Sequence, residues 1–86
     1  MKNWLARIRV MLKPAVNDPQ GLAIRGGLHQ LGFAGVESVR AGKFFAIRVA
    51  AEDRSAAEQL VGDMCNRLLA NPVIEDFSFE LDEAPA

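Results

Sequence analysis

The chain holds one histidine, His29, and one cysteine, Cys65, among its 86 residues. His29 sits one position off the apolar stripe marked by Ile24 and Leu28, which makes it a boundary residue of a helix. Cys65 lies within the apolar face formed by Leu60, Val61, Met64, Leu68 and Leu69. No histidine or basic neighbour is placed by sequence to turn it into a thiolate, so it reads as a buried structural thiol. With one residue of each kind, a zinc site within one chain would need carboxylates. Glu75 and Asp76 point to opposite faces of a strand and are no acid–base pair. Glu80 and Asp82 share a face, but at a solvated strand end. Gly21, Gly26-Gly27 and Gly42 form neither a phosphate loop nor a dinucleotide fingerprint. The expectation is a chain with no catalytic, cofactor-binding or metal-binding residues of its own.

The elements that carry these residues follow from periodicity. Trp4, Ala6, Ile8, Val10 and Leu12 alternate with Leu5, Arg7, Arg9 and Met11, a strand that ends at Lys13-Pro14. Asp18 can cap a helix whose first position is Pro19. Ile24, Leu28 and Leu31 predict a buried stripe on that helix, and Gly32 supplies its C-terminal turn. Val36 to Ala41 reads as a short strand, Ala41-Gly42-Lys43 as a turn, and Phe44 to Ala50 as a third strand with Phe45, Ile47 and Val49 on one face. Ser55-Ala56-Ala57-Glu58 has the spacing of a capping box ahead of a second helix to about Leu69. Asn71 suits a left-handed helix end, Pro72 cannot continue the helix, and a last strand runs from Val73 to Leu81. The order is βαββαβ. Right-handed crossovers make it a ferredoxin-like two-layer α+β sandwich, with an antiparallel sheet in the order 4-1-3-2 and two helices on one face. Residues 1–82 make the single domain and 83–86 a short flexible tail.

Half of the residues are hydrophobic and the net charge is −1. A chain of this size buries roughly 60–65% of the surface its unfolded form exposes, so so apolar a composition points to a surface covered by another chain. Lys and Arg are scattered, which gives no footprint for nucleic acid or anionic membrane. A single cysteine excludes an internal disulfide and suits a reducing cytoplasm. Charges interrupt the apolar start at Trp4-Leu5-Ala6-Arg7, so neither a signal peptide nor a bilayer span is expected.

The sheet face away from the helices would carry Leu5, Met11, Phe44, Ala46 and Ile74, interleaved with Arg7, Arg9, Arg48, Asp76 and Glu80. Half apolar and charge-matched, it reads as a protein interface, with Leu5, Met11, Phe44 and Ile74 as self-association candidates. RNA binding is disfavoured. Phe44 and Phe45 face opposite ways, and the first strand offers Arg7 and Arg9 where a stacking ring is needed.

Four stretches carry a resemblance that runs from Ile8 to Leu81. They are Asp18-Pro19-Gln20-Gly21, Leu31-Gly32-Phe33, Val39-Arg40-Ala41-Gly42-Lys43, and the helix end and strand from Met64 to Phe77. In order and spacing they resemble the PurS family, small subunits of phosphoribosylformylglycinamidine synthase. Asn17, where a leucine usually stands, and Ala46, where many members carry glutamate, depart from the pattern. The resemblance implies a non-catalytic assembly subunit of an ATP- and glutamine-dependent ligase of purine biosynthesis. Its partners would be a glutaminase subunit and a large synthetase subunit, and that synthetase would use the ATP and Mg. It also implies a cytoplasmic homodimer or tetramer. Arg40, Gly42 and Lys43, at the expected hairpin tip, are the candidates for the partner interface. A dimeric ligand-sensing module is the alternative, its ligand held near Asn17 and Asp18 in the Lys13–Gly21 loop.

Overall fold

The computed structural model describes residues 1–85. Three strands make one antiparallel sheet. They are β1 (Lys2–Leu12), β2 (Gly42–Ala51) and β3 (Glu75–Ala84), with β1 in the centre. The alternation read from β1 sets the core. Trp4, Ala6, Ile8 and Val10 are all buried on one face, and Ile8 stands opposite Phe45 on β2 and Phe79 on β3. Phe45, Ile47, Val49, Phe77 and Phe79 are only half-buried on that same face.

One helix covers this face. In α2 (Arg54–Met64) Ala57 and Val61 are buried, and the helix continues into a single π-helical turn, Cys65–Leu69, in which Cys65 is buried. Trp4 Nε1 donates to the Ala51 carbonyl at 3.2 Å. Arg54 lies 5.3 Å above the same indole ring and donates to the Leu81 carbonyl at 2.9 Å. One end of the sheet is thereby pinned to the start of α2.

The α+β class, the strand faces and the relative placement of first, third and fourth strands are as the sequence predicts. Several local features differ. Val36–Ala41 forms no regular element, and among the described residues the outer edge of β2 has no strand beside it. The first helix, α1 (Pro19–Gln30), does not lie on the sheet, and Gly21 is its sole buried residue. The stripe of Ile24 and Leu31 is therefore exposed in the single chain rather than buried. With the helix standing off the sheet, the molecule reaches 51 Å along its longest axis.

Asp53, not Ser55, caps α2, accepting from the Ala56 amide at 2.8 Å, because the helix begins at Arg54 and Ser55 already lies within its first turn. Asn71 is not left-handed. Its side chain accepts from the Val73 amide at 3.0 Å, an Asx turn that delays β3 to Glu75. The tail expected from Glu83 is strand as far as Ala84, since Glu83 and Ala84 pair with Trp4 and Asn3. Among the described residues no helix is long and apolar enough to cross a membrane.

Candidate functional site

Residues 13–41 form an arm: α1 runs out and the 36–41 segment returns alongside it. The return has no strand beside it among the described residues to satisfy its carbonyls, and side chains of α1 take over part of that task. His29 Nε2 lies 2.7 Å from the Val36 carbonyl oxygen, to which the Nε2–H tautomer donates. Arg25 Nε donates to the Glu37 carbonyl at 2.9 Å. At Gly21 the two limbs touch, and a Cβ there would stand 2.1 Å from the Val39 carbonyl oxygen. Glycine is the one residue that permits this approach.

Asp18 closes the base of the arm. It is buried, its Oδ1 accepts from the Gly21 amide at 2.9 Å and its Oδ2 from the Ala41 amide at 2.8 Å. These bonds, Gly21's first, hold its carboxyl below the ordinary carboxylate range against the opposing effect of burial. Arg40 then fastens the other side of the base, donating to the Lys13 and Val16 carbonyls at 3.0 and 3.1 Å.

The three residues expected at a hairpin tip are thus placed differently, because no strand precedes Gly42 to make a hairpin. Arg40 is a clasp within the arm's base. Gly42 opens β2 opposite Met11, where a Cβ would meet Met11 Sδ at 2.2 Å and the Val10 carbonyl oxygen at 2.6 Å. Lys43 Nζ is 3.7 Å from Glu75 Oε2. All three sit at the junction of arm and sheet, but they do not project together as free cations.

The outer sheet face carries Leu5, Met11 and Phe44 as expected, with Ile74 just before β3. Most of its charges are paired within the chain. Arg7 pairs with Asp82, Arg9 with Glu80 at 2.9 Å, and Lys13 with Asp76 at 3.7 Å. Arg9 also lies 5.7 Å from the Phe44 ring centroid. Arg48 on the same face donates to the Pro85 carbonyl and pairs with no carboxylate among the described residues, and exposed pairs of this kind contribute little stability.

The larger uncovered apolar surface is on the arm. Leu31 is 76% exposed and Phe33 57%, with Leu22 and Ile24 also exposed. Sequence reading placed this stripe in the chain's own core. The sign of a different fate was Gly26-Gly27 in mid-helix, positions where an added Cβ would meet nothing within 4 Å.

The family model of PurS, phosphoribosylformylglycinamidine (FGAM) synthase, matches residues 5–83. A PurS subunit of that synthase from Synechocystis is 48% identical over 79 residues, covering 92% of this chain and 79% of the relative. The Bacillus subtilis PurS subunit is 41% identical over 83 residues, covering 96% and 98%. The solved structure of B. subtilis PurS superposes with a TM-score of 0.85 at 40% identity, covering 93% of this chain and 99% of that one. A chain of the Thermotoga maritima PurLQS structure superposes at 0.84 with 32% identity, covering 98% and 100%. The overall fold is therefore shared with PurS chains over more than nine-tenths of this chain, and this chain belongs to the PurS family.

Proposed function

We propose that this chain is the non-catalytic assembly subunit of phosphoribosylformylglycinamidine synthase, a ligase of purine biosynthesis. It acts in the cytoplasm as a homodimer that joins a glutaminase subunit to a synthetase subunit. The observation that carries the reading is the end-to-end likeness to a chain of PurLQS, an assembly of three kinds of subunit by its name. ATP and Mg are used by the synthetase partner, which forms the amidine from formylglycinamide ribonucleotide with nitrogen supplied by glutamine. This chain contributes surfaces rather than reacting groups. Cys65 is buried, and desolvation pushes its thiol up, away from the nucleophilic thiolate.

The arm supports the dimer. A twelve-residue helix containing Gly21, Gly26 and Gly27 is marginal in water on its own, since isolated helices shorter than ~12–15 residues rarely hold. It needs a neighbour. The sheet of the same chain has the matching vacancy: half-buried Phe45, Ile47 and Val49 beside α2, and an unpaired β2 edge. Exchange of arms between two copies fills both. The partner's 36–41 segment adds to the β2 edge, and the partner's α1 covers the open half of the core face. The four-stranded order 4-1-3-2 expected of one chain is then completed by two. A two-fold pair of this kind repeats the same contact twice.

The test is reconstitution of glutamine-dependent amidine synthesis from candidate synthetase and glutaminase subunits, with and without this chain. Equal rates overturn the subunit role. Sedimentation equilibrium of the chain alone tests the dimer, and a clean monomer at micromolar concentration overturns it.

A further inference from the structure

The arm carries an open cavity of about 230 Å³ between the start of α1 and the returning segment, bordered by Asn17, Leu22, Arg25, Glu37, Ser38 and Arg40. Two features bear on what it could hold, although Arg48 and Arg54 elsewhere are likewise anchored to carbonyls without a carboxylate partner among the described residues. First, its guanidinium groups are fixed but not neutralised. Arg25 is anchored through Nε alone and Arg40 through one terminal nitrogen, both to backbone carbonyls. Among the described residues neither lies within 4.0 Å of a carboxylate, whereas Arg7, Arg9 and Arg67 all do. A guanidinium has five N–H donors, so each keeps unused donors while its side chain is already immobilised. Second, the cavity also carries unused negative charge. The carboxylate of Glu37 has no hydrogen-bond or ion-pair partner among the described residues, unlike Asp18 beneath it, whose oxygens are occupied by the Gly21 and Ala41 amides.

Anchored, unneutralised arginines and an exposed, unpaired carboxylate around one hollow match a ligand that carries both signs. A simple anion would meet Glu37 unfavourably, and a simple cation would meet the arginines. We propose that this cavity is a binding site for a free α-amino acid. Its carboxylate is taken by the planar fork of Arg25 or Arg40, its ammonium by Glu37, and its side chain by the mixed wall of Leu22, Asn17 and Ser38. The size agrees. At about 230 Å³ the cavity falls below the roughly 300–1,000 Å³ of drug-sized sites, which suits a small metabolite. Anchoring of both arginines before the ligand arrives lowers the ordering cost of binding. The site lies wholly within the arm, so ligand binding would stiffen the element whose pose governs assembly.

The experiment is calorimetric titration of the full chain with the proteinogenic amino acids one at a time, with inorganic phosphate and the deaminated acid of any hit as controls. At least one amino acid is expected to bind with one site per chain. Arg25→Gln should weaken it by about tenfold or more. Glu37→Gln should weaken the amino acid but not its deaminated analogue. Neither side chain holds the core, and circular dichroism checks that both variants keep the fold. Three results overturn the proposal: no binding of any amino acid at about 10 mM, affinity unchanged in both variants, or phosphate bound as well as the amino acid and better in Glu37→Gln. The last would make the cavity a plain anion site. None of these readings depends on the partner subunits, so failure here is separate from failure of the assembly role.

Discussion

Asp18 and Ala41 stand 23 residues apart in the chain and are joined by a 2.8 Å bond from the Ala41 amide to Asp18 Oδ2. The same carboxylate caps α1 through the Gly21 amide. One side chain therefore starts the outgoing limb of the arm and ends the returning one. Asp18→Ala should lower the melting temperature more than Glu80→Ala, since Glu80 has only an exposed ion pair to lose. Thermal melts of the two variants against the parent check this.

The same bonds give a pH dependence. The folded pKa of Asp18 is depressed, so its unfolded form, near the usual value of about 3.9, binds protons more readily than the folded one. The contribution is full at neutral pH and is lost as pH falls through the folded pKa. Denaturant melts between pH 5 and 2 should show a loss of stability on acidification that is smaller in Asp18→Asn. Equal slopes would mean that the carboxylate's bonds do not persist in solution.

The core and the π-helical turn make opposite predictions for two aliphatic residues. Ile8 is fully buried at the middle of β1, and Ile8→Ala should cost about 2–5 kcal/mol. Helical spacing places Leu68 on the buried face of α2, but the wider turn at Cys65–Leu69 rotates it outwards to 84% exposure. Leu68→Ala should change stability by no more than about 0.5 kcal/mol. Urea titrations of both variants check the contrast.

Glycines at two kinds of position should respond in opposite ways. Gly21→Ala must force apart α1 and the Val39 carbonyl, so it should destabilise the arm. Gly26→Ala faces open space in the single chain and should raise helix stability by up to about 1 kcal/mol. If a second copy packs closely over Gly26-Gly27, that same change weakens self-association. Circular dichroism and sedimentation equilibrium on one sample separate the two effects. A Gly26→Ala chain that dimerises as tightly as the parent would show that no close contact is made there.

Cys65 should be inert. Its burial and raised pKa predict alkylation only on unfolding, with rates that rise in step with denaturant. Rapid labelling of the native chain would place the thiol at the surface and contradict the packing of α2.

Much of the body was legible in the sequence because its signals are local. The two-residue alternation of β1, the caps at Asp18 and Gly32, and the inward set Phe77, Phe79 and Leu81 all follow from chemistry within a few residues. The left-handed turn at Gly32 has φ of 99° as its glycine suggests. The arm is not legible, for the opposite reason. An apolar stripe such as Ile24 and Leu31 states that something covers it, not which chain does. Likewise Val36–Ala41 has the composition of a strand, but a strand exists only where an edge is offered. Arg40 and Lys43 looked like paired free cations because their partners, the Lys13 and Val16 carbonyls and Glu75, are distant in sequence. The side chains of the cavity fall between these cases. Asn17 and Asp18 were visible as a polar loop, whereas the juxtaposition of Arg25 with Glu37 depends on the return of the chain.

The exposed α1 has a consequence for the protein's abundance. If a second copy completes that helix, as proposed, folding is coupled to association, and dilution then destabilises this chain. Its melting temperature should climb with its own concentration. Under-produced, the subunit would be present mainly as an incomplete fold exposed to proteases, and its level would fall faster than its synthesis.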